Sequence, residues 1–274
     1  MTNSQNRTIW ILILSSSLIL AITMGVRQSL GLFIAPINSS TSLDIISISL
    51  ALAIGQFIWG LTQPIFGAIA DKKGSFGVLV FGALLMFFGL ILTPFLTSEF
   101  SIILTLGLLV AAGAGAGSFS ILIGATAKNL PNEKRSFAGG FINAGGSFGQ
   151  FIFAPLAQAI INGFGWIYSM IALAFSTLLT IPLAKILSSK SKKEETNLTN
   201  VIENDIKLKE QLKVALKDKS YLYLNLGFFT CGFHVAFLVT HLPHEVALCG
   251  HSANVSAYSL ALIGLFNIFG SLYA

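Results

Sequence analysis

Gly67-Ala68-Ile69-Ala70-Asp71-Lys72-Lys73-Gly74 is a short polar turn set between two long apolar runs, residues 45–70 and 76–96. Each run can cross a bilayer as a helix, which takes about 20 mostly apolar residues. The turn therefore stands at a membrane surface. Asp71 lies where an acid can cap the following helix and pair with neighbouring cations. Gly67 permits tight packing and Gly74 a sharp turn. Lys72 and Lys73 give the turn a positive charge, and such charge is held on the cytoplasmic side in short connections.

The same pattern repeats outward from this turn. Runs nearly free of charge occupy residues 9–37, 45–70, 76–96, 101–127, 137–161, 166–187, 221–242 and 255–274. Only 10% of the 274 residues are charged and 54% are hydrophobic, with a mean hydropathy of +0.80, whereas a soluble domain carries about a quarter charged residues. Too few charges exist to cover a water-facing enzyme. The runs are too long for barrel strands and do not alternate apolar with polar residues. The first run is also far longer than the apolar core of a cleaved signal peptide. The expectation is an all-α, polytopic membrane bundle of eight helices. Cys231 and Cys249 have no metal or disulfide framework around them.

Charge sets the orientation. Of 16 basic residues, Arg7 precedes the first run, Lys72 and Lys73 follow the second, and Lys128, Lys134 and Arg135 join the fourth and fifth. Residues 185–219 hold the Lys that end the sixth run or follow it. Connections 37–44, 97–100, 162–165 and 243–254 contain no Lys or Arg. Every even connection is basic and every odd one is not, which puts the N-terminus inside and explains the pI of 9.3 without nucleic acid. The chain divides at 189–219, a long basic connection between residues 1–188 and residues 220–274. Within it, Ile202, Ile206, Leu212, Ala215 and Leu216 can share one face of an interfacial amphipathic helix; a solvated linker is the other reading of its first half.

Residues 67–74 resemble, through Gly74, the signature Gly-x-x-x-Asp-(Arg/Lys)-x-Gly-(Arg/Lys)-(Arg/Lys) of the major facilitator superfamily. Ser75 and Phe76 stand where its two closing basic residues would be. Six spans, a basic connection and further spans also resemble that family's paired six-helix halves. The resemblance implies alternating access by rocking of the halves about a central site, with Gly67, Asp71, Lys72 and Gly74 as a conformational switch. The glycines of the fourth run (Gly113, Gly115, Gly117) and of the fifth (Gly139, Gly140, Gly145, Gly146, Gly149) resemble its close-packed helices, although close packing is expected of any polytopic protein. More narrowly, Met24-Gly25-Val26-Arg27-Gln28-Ser29-Leu30-Gly31-Leu32-Phe33 and Gly232-Phe233-His234-Val235-Ala236-Phe237, with Thr240-His241-Leu242-Pro243, are similar to bacterial relatives of the monocarboxylate porters. In those a basic residue of helix 1 is placed to meet a substrate carboxylate. The acidic-Gly-Gly-aromatic start of helix 1 in animal porters is missing here.

Arg27, inside the first run, is the basic residue that neither a connection nor the end of a run accounts for. A charge in the hydrocarbon costs at least about 2.5–3.5 kcal/mol and is kept where it faces a cavity or a partner; its planar fork suits a carboxylate. Snorkelling to the outer interface is the other reading. Gln56, Trp59, Gly60 and Gln63 recur at helical spacing, so they share a stripe turned from lipid, either lining a pathway or bonding to neighbouring helices. Asn143 and Gln150, seven apart, have the same two readings, and Asn267 is a further candidate. His234, in the middle of the seventh run, either carries a coupling proton or is satisfied between helices. His241, His244, Glu245 and His251 cluster at the outer end of the seventh run and in the water-facing connection after it; His-x-x-His is a possible metal pair but lacks a spaced third ligand.

No phosphate loop, nucleophile constellation or pair of membrane carboxylates points to an enzyme, and no cofactor is implied. The expected function is secondary transport of a small organic anion, a monocarboxylate, driven by protons. A drug antiporter of the same fold and a non-transporting receptor or assembly protein are the alternatives. Helix 8 would correspond to helix 2 of the first half, so four more C-terminal helices are expected to be needed to complete the pathway.

Overall fold

The computed structural model describes residues 3–96, 98–128, 130–191 and 214–273. Eight helices have the length and composition to cross a membrane: α1 (Asn6–Ser40), α2 (Ile45–Lys73), α3 (Ser75–Phe95), α4 (Glu99–Ala127), α5 (Asn132–Phe164), α6 (Trp166–Ser188), α7 (Lys219–Leu248) and α8 (Ala253–Tyr273). Among the described residues there is no strand. Each expected run lies in one of these helices. Of the proposed interfacial helix, Ile202, Ile206 and Leu212 lie outside the described residues.

Three local departures from a regular α-helix shape the interior. In α1 the regular helix stops at Gln28, passes through a 3₁₀ turn at Leu30–Phe33, and restarts at Ile34. Pro36 accounts for the restart. It lacks an N–H and clashes with the carbonyl four residues back, so it is tolerated in the first turn of a new helix and not inside a continuous one. In α4, residues Ile103–Val110 form a π-helix, a wide turn common at functional sites. Further along α4, Ser118 is extended and the helix breaks there. The exposed carbonyl of Gly117 accepts from Thr23 Oγ1 of α1 at 3.1 Å, so the break is satisfied by a neighbour.

Packing joins α1 to α5, α2 to α4, and α3 to α4 and α6. At the α1–α5 seam a Cβ on Gly149 would stand 1.9 Å from the Ala21 carbonyl oxygen, so only glycine permits that approach. The buried interior includes Leu12, Ile13, Ile19, Leu20, Phe33 and Met86. At one end α2 begins on Asp44, whose carboxylate accepts from Ser47 N at 2.7 Å, while Ser47 Oγ donates to Glu99 at the start of α4.

The last two helices are seated differently. α8 lies along α5: Asn143 Nδ2 donates to Ser271 Oγ at 2.8 Å and Asn162 Nδ2 to Asn254 Oδ1 at 2.8 Å. α7 is exposed over most of its length, and Val239 and Thr240 are its buried residues. There it meets the 3₁₀ turn of α1.

Two expectations about helix ends are corrected. The connection placed at 243–254 is helical through Leu248, so His244 and Glu245 belong to α7 as His241 does. Pro243 removes one hydrogen bond, but the helix continues past it and closes with Cys249 N to Glu245 O at 3.0 Å. Asp71 does not cap α3. α2 runs on through Lys72 and Lys73, whose charges suit a helix C-terminus, and Gly74, at φ 87°, makes the turn with no side-chain cap.

Candidate functional site

Arg27 sits in the last turn of the regular part of α1, just before the chain tightens at Ser29. Ser29 Oγ donates to the Gly25 carbonyl at 2.7 Å, which fixes this bend. The guanidinium points at α2, where Nη2 donates to Gln56 Oε1 and the guanidinium carbon lies 3.8 Å over the Trp59 ring. Gln56 and Trp59 are three apart and so share the face that meets α1. A cation over an indole gains about 0.5–2 kcal/mol, and a hydrogen bond to a charged group about 1.5–3 kcal/mol. Both groups holding Arg27 are neutral, and no acid among the described residues pairs with it.

A void of about 20 Å³ adjoins Arg27, bordered by Leu30, Gly31, Gln56, Leu106, Val239 and Thr240 among others. It has room for about one water and not for an organic anion. Gly31 also borders a second cavity, of about 410 Å³, with Ser39, Gln158, Asn162, Pro243 and His244 in its wall. Between the two spaces the backbones of α1 and α7 touch. A Cβ on Gly31 would be 2.4 Å from the Val239 oxygen and 2.8 Å from the Thr240 oxygen. Pro243 has no N–H to return to Val239, four residues earlier, so that carbonyl is free to press against the glycine. Gly31, Val239 and Thr240 were not singled out from sequence as site residues; a proline four residues after Val239 is the signal that could have found them.

The remaining candidates do not all converge on Arg27. Gln63, two turns beyond Gln56, is half-buried, while Gly60 of the same stripe is exposed. Gln150 is buried at 2% exposure with Nε2 unpartnered, and lies against Gly264 of α8. Asn143 bonds α8 rather than α1, and Asn267 is exposed. The Ser17, Ala21 and Gly25 face of α1 meets α5, so two sides of α1 serve separate clusters. His234 is exposed on α7, with Nδ1–H donating to the Thr230 carbonyl of its own helix at 2.8 Å; it does not bridge helices.

At the far end of α2, Asp71 pairs with Lys128 at 3.2 Å. Asp71, Lys72, Lys73, Gly74 and Lys128 border a cavity of about 470 Å³. Gly67 opens onto it and has nothing within 4 Å of its Cβ position, which corrects its reading as a tight-packing residue. Among the described residues no three His, Cys, Asp or Glu side chains gather as a metal site.

Eight membrane-length helices among the described residues, with a half-buried cation held between them by neutral groups, define a polytopic membrane protein. The chain belongs to the major facilitator superfamily, whose family model matches residues 16–274. That membership places it among transporters rather than enzymes. It is 27% identical over 187 residues to "Monocarboxylate transporter 13" of Rattus norvegicus, covering 68% of this chain and 43% of that protein. It is 24% identical over 263 residues to "Oxalate:formate antiporter" of Oxalobacter formigenes, covering 94% of this chain and 60% of that protein. The chain spans about half the length of the curated relatives it matches.

Proposed function

We propose that the chain belongs to a secondary transporter of a small organic anion, a monocarboxylate, with Arg27 as the partner of the substrate carboxylate. One observation carries this reading: a cation inside the bundle is held by an amide oxygen and an indole face, and no acid among the described residues pairs with it. Gln56 Oε1 occupies the place of a carboxylate oxygen. A carboxylate arriving at Arg27 displaces that amide and restores charge balance inside the bundle. The names of the relatives agree with an anionic substrate.

Residues 1–188 and residues 220–274 act in this reading as parts of two halves joined by residues 189–219. The Gly31–Val239 contact closes the pathway at the end where the connections lack Lys and Arg, taken as outside. Asp71 and Lys128 act at the opposite, cytoplasmic end, in a bacterial inner membrane with the N-terminus inside. Gln63, Gln150, Asn143 and Asn267 are further pathway candidates, and His234 is the candidate for proton coupling. The relatives' greater length and the exposed face of α7 support additional helices that complete the pathway.

The test is uptake of labelled lactate and oxalate, against a labelled cationic dye, in cells producing the chain together with the helices that complete the pathway. Saturable carboxylate uptake that rises with an inward proton gradient supports the reading. Dye efflux without carboxylate movement would replace it with a drug antiporter.

A further inference from the structure

We propose that Trp59 is a second hydrogen-bond donor to the substrate carboxylate, acting beside Arg27. This rests on Arg27 being the carboxylate's partner. Trp59 Nε1 is buried and has no acceptor, although a buried indole N–H ordinarily finds one. As a packing residue alone this position would favour phenylalanine, which offers the same face to the guanidinium and leaves no donor stranded.

The stranded donor belongs to the very ring that the Arg27 guanidinium covers at 3.8 Å. A carboxylate held by the Arg27 fork retains lone pairs on both oxygens. One of them can accept the indole N–H once the helices part and Gln56 is displaced. Arg27 then supplies charge and Trp59 direction, so the pair selects a planar anion over a cation or a neutral solute. Trp59 thereby becomes a substrate-binding residue, and its N–H is unpaired only in the closed, unloaded form.

The chain has three tryptophans, Trp10, Trp59 and Trp166, so indole ¹⁵N labelling of the purified protein in lipid nanodiscs gives three N–H signals, assigned by Trp10→Phe and Trp166→Phe. Titration with lactate, and separately with oxalate, should move the Trp59 proton downfield and saturably, and Arg27→Ala should remove the effect. Trp59→Phe should weaken binding of the labelled probe about tenfold or more. Unchanged affinity in Trp59→Phe, with binding lost in Arg27→Ala, overturns the Trp59 role and leaves the Arg27 reading standing. If Trp59→Phe does not fold, the titration decides: bound probe with an unmoved Trp59 signal also overturns it. Binding that survives both substitutions, or no binding of either probe, removes both claims.

Discussion

Replacing Gly31 by alanine should open the α1–α7 contact. The added methyl would stand 2.4 Å from the Val239 oxygen and 2.8 Å from the Thr240 oxygen, where ordinary contact begins near 3.4 Å. Both obstacles are backbone atoms, so no side-chain rotation relieves the clash. The two helices must part by about 1 Å (3.4 minus 2.4). Overpacking of this kind costs about 1–3 kcal/mol. If α1 and α7 are already apart in a second state, the penalty falls on the closed state alone and shifts the balance by about 5–150-fold. Spin labels on native Cys249 and on a cysteine at Ser39, in a Cys231→Ser background, report that separation by pulsed electron resonance; Cys249 and Ser39 are both exposed. Gly31→Ala should move weight to the longer distance. An unchanged distance distribution, with an unchanged melting temperature, would refute the contact.

Three other substitutions probe separate parts of the bundle. Asp71→Asn removes the pair with Lys128; both side chains are more than half exposed, so the loss is below about 1 kcal/mol, and cysteine labelling should show a shift toward the cytoplasm-open form that fades at high salt. The Asp44 carboxyl is held below its ordinary value chiefly by the Ser47 backbone N–H. Its contribution is therefore present above the unfolded pKa of about 3.9 and lost as pH falls through the lower folded value, so melting curves of wild type and Asp44→Ala should differ at pH 7 and converge in acid. Gln150→Met fills the same buried space without the unpartnered amide, whose burial costs about 1–3 kcal/mol. Its melting temperature should equal or exceed that of wild type, and a large fall would show that the amide has a partner.

Hydropathy made the eight spans legible because lipid tolerates few charges over a helix length. Gly74 was legible as a turn for the same kind of local reason: two long helices meet there with one residue between them, at a positive φ. Partner choice was not. In membrane, the side facing lipid and the side facing another helix are both apolar, so periodicity shows that Gln56 and Trp59 share a stripe but not that α1 covers it. Gln150 illustrates the same limit, since its face could have met α1 and meets α8. The constriction at Gly31 depends on a carbonyl freed by a proline on another helix, a long-range fit that no spacing within one segment encodes. Extension of α7 past Leu242 was missed because the span was bounded by apolar content, which ends at Pro243-His244-Glu245, whereas the helix itself continues.

Binding of labelled lactate and oxalate to purified Arg27→Ala and Arg27→Lys, beside wild type in the same lipid nanodiscs, bears most directly on the central claim. Wild type should bind one of the probes saturably. Arg27→Lys keeps the charge but loses the bidentate fork and should bind more weakly; Arg27→Ala should fold, insert and show no saturable binding. Binding by Arg27→Ala with the affinity of wild type would contradict the assignment of Arg27 as the carboxylate's partner.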